Sequence, residues 1–293
     1  MLTLILSVLF YIPIKITENF TSKKIANTKT LFSYGVSRMI IGVLIGLSIM
    51  LIKNEFPVYI DLNTVLISLL FGAILSTGMM VTVLALKHAN VTITSVFMTA
   101  SLIIPILIGY VFLNEKVNVW QIVLIIVFLL TVYPLVSNKQ AKKPFTIISF
   151  IACLLVWLTS GFGTASLQLF FRVVPQGNVN LFLVLSYAFG GVILTIVTLL
   201  FKDKKVEENN KIKLTKSIVI AGFICTLFYF LNQQFITILT NEFPSSILFP
   251  VSTGGGVVMG SLIGLIVYRE KLSVTNYIAL VIGIASLILV GIV

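Results

Sequence analysis

The feature that most limits the fold of this chain is a series of long apolar runs separated by short polar connections. A helix needs about 20 mainly apolar residues to cross the hydrocarbon core of a bilayer, and most of these runs approach or reach that length. The runs do not alternate with a period of two residues, which favours helices over the strands of a membrane barrel. Charged residues make up only 10% of the 293 positions, against about 25% in a soluble domain. We therefore predict an all-α, polytopic integral membrane protein.

The apolar runs predict ten transmembrane helices. Their boundaries are set where polar or charged residues interrupt the apolar pattern. The first run is short and contains Pro13 and Lys15, and an extension to about Phe20 is the alternative for its end. The predicted spans are 1–16, 31–52, 63–86, 91–113, 118–136, 145–171, 181–201, 215–239, 245–268 and 273–293.

Two stretches, 91–136 and 246–291, share one sequence pattern. Each contains Leu-Ile-Gly, five further residues, Glu-Lys, two residues and a valine. In each, the Glu-Lys pair (Glu115 or Glu270) lies in a turn between two membrane-length runs. Chance similarity between apolar stretches is the alternative, but the shared register around the same turn favours an internal duplication. At the same offset Thr77 of the third span aligns with Asn232 of the eighth.

The duplication predicts two five-span repeats, residues 1–138 and 145–293, joined by a loop at 139–144. Because five is odd, the second repeat enters the membrane upside down, as in transporters whose substrate site lies near the bilayer midplane. Apart from Arg38, inside the second span, only Lys53, Lys116 and Arg172 of the 20 basic residues lie on one side of the membrane. The positive-inside rule then places both termini outside.

Ten spans in two repeats, with a Gly-x5-Glu-Lys turn between the last two spans of each repeat, resemble the drug/metabolite transporter superfamily, and within it the EamA-like transporters. The resemblance covers nearly the whole chain and is sharpest at 91–136 and 244–293. It implies that the first four spans of each repeat enclose a central cavity, while spans five and ten lie at the periphery. It also implies cytoplasmic termini, which opposes the charge count. We expect the plasma membrane of a bacterium as the location, and a homodimer is an assembly that the sequence allows.

Polar side chains recur on two predicted helices at three- and four-residue spacing, so each set shares one helix face. Amides inside the hydrocarbon must find partners, and such faces therefore point into the bundle. The stripes either join helices by hydrogen bonds or form the wall of a substrate cavity, and their density favours the cavity. The stripe of the eighth span comprises Thr226, Tyr229, Gln233 and Thr237, flanked by Asn232 and Gln234, and that of the sixth comprises Trp157, Ser160, Thr164 and Gln168.

We predict a substrate site between spans three, four, six, eight and nine, near the midplane. Thr77 and Asn232, which the duplication relates, should face each other there. In the ninth span Gly256, Gly260 and Gly264 recur every fourth residue, a spacing that lets helices pack closely. The candidate cavity residues are Thr77, Thr99, Trp157, Thr164, Gln168, Thr226, Tyr229, Asn232, Gln233, Ser252 and Thr253.

Charged residues are few near the predicted spans. No carboxylate lies near the middle of any predicted span, which disfavours proton-coupled export of cations through a buried glutamate. An ion pair between Glu18 and Arg38, on neighbouring spans, is expected. His88 is the only histidine, so neither a catalytic triad nor a histidine metal site is supported.

The sequence therefore predicts a secondary transporter rather than an enzyme. It would move a small organic solute, such as an amino acid, a sugar or a drug-like molecule, by alternating access, without a cofactor, a metal or an ATP site. A polar, uncharged lining favours a neutral or zwitterionic metabolite. Its partners would be that solute and the lipid bilayer, and not nucleic acid, because the basic residues lie in topology-setting loops. A non-transporting membrane scaffold or sensor is the alternative.

Overall fold

The structure is a computed structural model that describes residues 2–25, 27–56, 59–112, 118–136, 146–200, 214–243, 245–269 and 273–290. Within these ranges the chain forms helices and no strand, which confirms the predicted all-α class. Six helical segments of the described chain are long and apolar enough to cross a membrane. The helices are α1 Leu2–Leu9, α2 Tyr11–Lys24, α3 Thr28–Ile52, α4 Leu62–His88, α5 Val91–Ala100, α6 Ile103–Phe112, α7 Val119–Val136, α8 Ile147–Val173, α9 Val179–Leu200, α10 Lys216–Glu242, α11 Ser245–Ile266 and α12 Val274–Val290.

Two predicted spans are each divided into two helices, and a proline explains each division. Pro13 has no N–H to donate to the carbonyl of Leu9, four residues earlier, and α1 ends at Leu9. Pro105 likewise leaves the carbonyl of Ser101 without its helical partner, and α5 ends at Ala100. At the second division Ser101 and Leu102 are buried in the bundle.

The predicted end of the first span at residue 16 is wrong, because α2 continues to Lys24. The residues beyond position 16 include Thr17, Glu18 and Asn19, and all three are buried in the bundle. Their low hydropathy marks a polar helix inside the protein rather than the edge of the membrane. A rule based on apolar runs cannot distinguish these two situations.

Helix packing pairs the two halves of the chain in a reciprocal way. Helix α4 packs against α8 and α9, and its counterpart α10 packs against α2 and α3. Helices α3 and α9, α5 and α11, and α7 and α12 pack as matching pairs. Exchanging the two predicted repeats therefore leaves this set of pairings unchanged. The inverted ten-span arrangement itself stays a prediction, since Glu115, Glu270 and the loop 139–144 lie outside the described residues.

Glycines allow the closest helix contacts. A Cβ added at Gly72 of α4 would meet the backbone oxygen of Ser186 in α9 and would lie 3.0 Å from the backbone nitrogen of Gly190. A Cβ at Gly260 of α11 would meet the hydroxyl of Ser95 in α5. Gly72 thus lets α4 and α9 approach backbone to backbone, and Gly260 leaves room for the Ser95 side chain between α11 and α5.

Candidate substrate cavity

A cavity of about 80 Å³ lies at the centre of the bundle. Its wall comes from α2, α4 and α5 of the first half and from α8, α10 and α11 of the second, together with Ser101 between α5 and α6. Ligand pockets usually measure about 300–1,000 Å³, so this conformation has room for only a few water molecules. The polar lining residues are Tyr11, Lys15, Glu18, Thr82, Ser95, Ser101, Thr159, Ser160, Thr164, Tyr229, Asn232, Gln233 and Ser252.

Five of the predicted residues line this cavity: Thr164, Tyr229, Asn232, Gln233 and Ser252. Tyr229, Asn232 and Gln233 lie within two turns of α10, the helix that the sequence singled out for its polar face. The amide nitrogen of Asn232 donates to the backbone oxygen of Ser7 at 2.7 Å. Asn232 therefore lines the cavity and also ties α10 to α1.

Other predicted residues lie elsewhere. Thr77 is exposed and donates to the backbone oxygen of Ala73 at 2.8 Å, so it does not face Asn232 as expected. Trp157 packs against the hydrophobic core, and Gln168 is buried, but neither lines the cavity. Trp157 and Gln168 belong to the polar face of α8, but that face is wider than the part of it that lines the cavity. The rotation of α8 about its axis leaves these two side chains outside the cavity wall.

Thr226 is buried behind the cavity wall, where its hydroxyl oxygen accepts a hydrogen bond from Nε of Arg38 at 3.1 Å. The Arg38 guanidinium also lies over the ring of Tyr34, at 5.7 Å from the ring centroid. Arg38 therefore pairs with Thr226 and not with Glu18, and the expected Glu18–Arg38 ion pair is wrong. The side chains of two further candidates, Thr99 and Thr253, lie outside the described residues.

Helix α2 contributes to the cavity wall, although none of the predicted cavity residues lies on it. Tyr11, Lys15 and Glu18 all line the cavity. Their spacing of four and then three residues places them on one face of a helix, and this spacing was visible in the sequence. The signal was lost because the first span was ended at residue 16, which put Glu18 in a loop.

Lys15 and Glu18 form an ion pair inside the bundle. The Lys15 Nζ lies 3.6 Å from Oε2 of Glu18, and the two side chains are only 3% and 4% exposed. The expectation of an uncharged lining is therefore wrong. Glu18 lies beyond the predicted end of the first span but inside α2, so the cavity is lined by a buried carboxylate that the predicted spans did not include.

Metal and thiol chemistry find little support in the part of the chain that the structure describes. No group of three histidine, cysteine, aspartate or glutamate side chains there could hold a metal ion. Cys153 and Cys225 are buried free thiols on different helices. The polar groups that meet at the cavity are mainly hydroxyls and amides, which bind a solute by hydrogen bonds.

Comparison with known proteins supports the resemblance over the first repeat. Residues 1–137, a little under half of the chain, match the model of the EamA-like transporter family. That family is part of the drug/metabolite transporter superfamily, so the resemblance stated above is confirmed for these residues.

Two further comparisons concern the whole chain. None of the curated proteins compared with it matches. A crystal structure of a protein aligns over 98% of this chain and 98% of its own, with a TM-score of 0.65 and 13% sequence identity. At that identity the likeness shows a shared fold alone. The family match over residues 1–137 and the apolar helices together point to an integral membrane protein, and the family suggests a transporter of the drug/metabolite type.

Proposed function

We propose that this protein is a secondary transporter that moves a small organic solute across the membrane by alternating access. The observation that carries the proposal is the central cavity, which has polar walls and is built from helices of both halves of the chain. A scaffold or sensor needs no such polar interior. In inverted-repeat transporters the substrate site lies between the repeats near the midplane, and the cavity lies between the predicted repeats here.

The divided helices support a cavity that opens and closes as the two halves of the chain move. The break after α5 places Ser101 at the cavity, and the break after α1 places Tyr11 there. Discontinuous helices at a transporter site expose backbone groups to the solute and provide positions where the halves can rock. The small volume of the cavity fits a closed conformation, which opens to one side when the halves move apart.

Flux measurements on the purified full chain in liposomes test this proposal. Radiolabelled amino acids, sugars and drug-like solutes are offered in turn, and we expect the liposomes to take up at least one of these solutes. The Tyr229→Phe variant removes only the hydroxyl of a residue that lines the cavity. The loss of one hydrogen bond should reduce the flux roughly two- to tenfold. Tyr277→Phe, on the exposed face of α12, is the matched control and should leave the flux unchanged.

Two outcomes would contradict the proposal. Absence of flux for every solute from folded wild-type protein would favour the scaffold or sensor. Equal flux from the Tyr229 and Tyr277 variants would show that the cavity is misplaced. Asn232→Leu is a weaker test, because the Asn232 side chain also donates to Ser7, and its loss would disturb helix packing as well.

A further inference from the structure

Among the residues that the structure describes, the buried charged side chains carry one more positive than negative charge. Among the described residues only three charged side chains are buried: Lys15, Glu18 and Arg38. A guanidinium keeps its proton inside proteins, so Glu18 is the single negative group available to two cations. An uncompensated charge in a low-dielectric interior is costly. A negative charge brought into the cavity by a solute would balance this excess.

Lys15 is the cation that faces the cavity, and its ammonium has poor partners. Glu18 Oε2 lies 3.6 Å away, beyond hydrogen-bond distance, and has no hydrogen-bond partner of its own in the described chain. The Lys15 Nζ donates to the Met98 sulfur at 2.7 Å, and a thioether is a weak acceptor. An ammonium has three donors, so Lys15 keeps donor capacity toward the open space.

The other buried cation, Arg38, does not line the cavity and therefore cannot contact the solute there. Arg38 uses Nε on Thr226, and its two terminal nitrogens are buried without a hydrogen-bond partner in the described chain. It lies within electrostatic reach of Glu18. The described side chains form no ion pair between Arg38 and Glu18, so the one buried carboxylate does not balance both cations.

We infer that the cavity binds a small organic monoanion and that the carboxylate of this solute pairs with Lys15. The inference rests on the proposed function and names its substrate class. One negative charge balances the excess, whereas a zwitterion, a neutral solute or a cation leaves it. A dianionic phosphate ester would overcompensate it beside Glu18. The hydroxyls of Tyr11, Ser95 and Ser101 line the same space and are suited to the polar remainder of the solute.

The change in affinity when Glu18 is neutralised distinguishes an anionic solute from a cationic one. Glu18 repels an incoming carboxylate and occupies one side of Lys15, so its neutralisation should tighten binding of the anion. A glutamate that binds a cationic solute, or that carries the coupling proton, would show the opposite response. Glu18→Gln preserves size and hydrogen bonding, and Lys15→Met combined with Glu18→Gln removes both charges of the Lys15–Glu18 pair while Arg38 keeps its charge, as in the wild type.

The experiment measures binding to the full chain in detergent by the ligand-dependent rise in melting temperature. The solutes form two matched series: lactate, alanine, lactamide and isopropylamine, and phenylacetate, phenylalanine, phenylacetamide and phenethylamine. Glycerol phosphate tests a phosphate in place of the carboxylate. We expect a carboxylate monoanion to bind wild-type protein and to bind Glu18→Gln about tenfold more tightly. Affinity in the double variant should fall roughly ten- to a hundredfold below that of Glu18→Gln.

The inference is overturned if only alanine, an amide, an amine or glycerol phosphate binds, if no solute of either series binds, or if Glu18→Gln weakens binding of the anion. It is also overturned if loss of Lys15 leaves the affinity for the anion unchanged. Flux measurements in liposomes distinguish an error in the proposed substrate class from an error in the proposed transport function. Transport of neutral solutes without anion binding would contradict the inference and leave the transporter standing. Anion binding without any flux would support the site and contradict transport.

Discussion

Gly72→Ala tests whether α4 and α9 meet at the distance that the structure shows. The added methyl group would overlap the backbone oxygen of Ser186 and would lie 3.0 Å from the backbone nitrogen of Gly190. Backbone atoms cannot rotate away as the end of a side chain can, so the two helices must separate. Overpacking of this kind costs about 1–3 kcal/mol. Alanine also gains about 1 kcal/mol over glycine in a helix, which hides part of that cost.

Gly163→Ala is the matched control, because it makes the same substitution in the middle of another long helix. A Cβ there would lie 3.5 Å from Cγ2 of Ile74, an ordinary van der Waals contact. Both variants receive the same gain in helix propensity. The difference between their free energies of unfolding therefore isolates the overpacking, and we expect Gly72→Ala to be less stable by about 1–3 kcal/mol.

The assay is reversible unfolding of detergent-solubilised protein by sodium dodecyl sulfate, followed by far-ultraviolet circular dichroism. The free energy of unfolding is compared for wild type and the two variants under the same detergent conditions. Equal stability of Gly72→Ala and Gly163→Ala would refute the reasoning. It would mean that α4 and α9 are farther apart in the protein than their backbones are here.

Three further predictions concern individual contacts. Thr226→Val removes the acceptor for Nε of Arg38 and should lower the free energy of unfolding by about 1–3 kcal/mol, whereas Thr226→Ser should not. Glu55→Ala removes the carboxylate that accepts from Asn180 at 2.8 and 2.9 Å and should cost about 1–3 kcal/mol in the same assay, with Glu55→Gln intermediate. The buried thiol of Cys225 should react with a maleimide only after unfolding, as measured by mass spectrometry, and rapid labelling of the folded protein would contradict its burial.

Much of the fold could be predicted because the bilayer permits few structures. Continuous apolar runs of membrane length must be helices, since every backbone polar group needs a partner within the segment. The helix starts also followed local rules: Asn27 accepts from the backbone nitrogen of Thr30 at 2.7 Å, and the Thr146–Ser149 capping box begins α8. The end of the first span could not be found this way, because its polar residues are hidden by other helices.

The cavity was predictable only in part, for a related reason. The polar face of α10 is a local pattern, and three- and four-residue spacing was enough to select Tyr229, Asn232 and Gln233. The rotation of α4 and α8 about their axes is set by contacts with α9 and other helices far along the chain. This rotation decided that Thr77 would be exposed and that Trp157 would pack in the core.

By itself, the sequence determined the helical class, the membrane environment and the polar helix face, because each of these follows from local composition and spacing. Only the tertiary structure decided which charges share the interior. Lys15 and Glu18 could have faced water at the end of a short span, and Arg38 could have paired with Glu18. Packing of α2 and α3 against α10 buries all three side chains and places Arg38 Nε where it donates to the hydroxyl oxygen of Thr226. Charge balance in a low-dielectric interior depends on such long-range placement, which no spacing along the chain records.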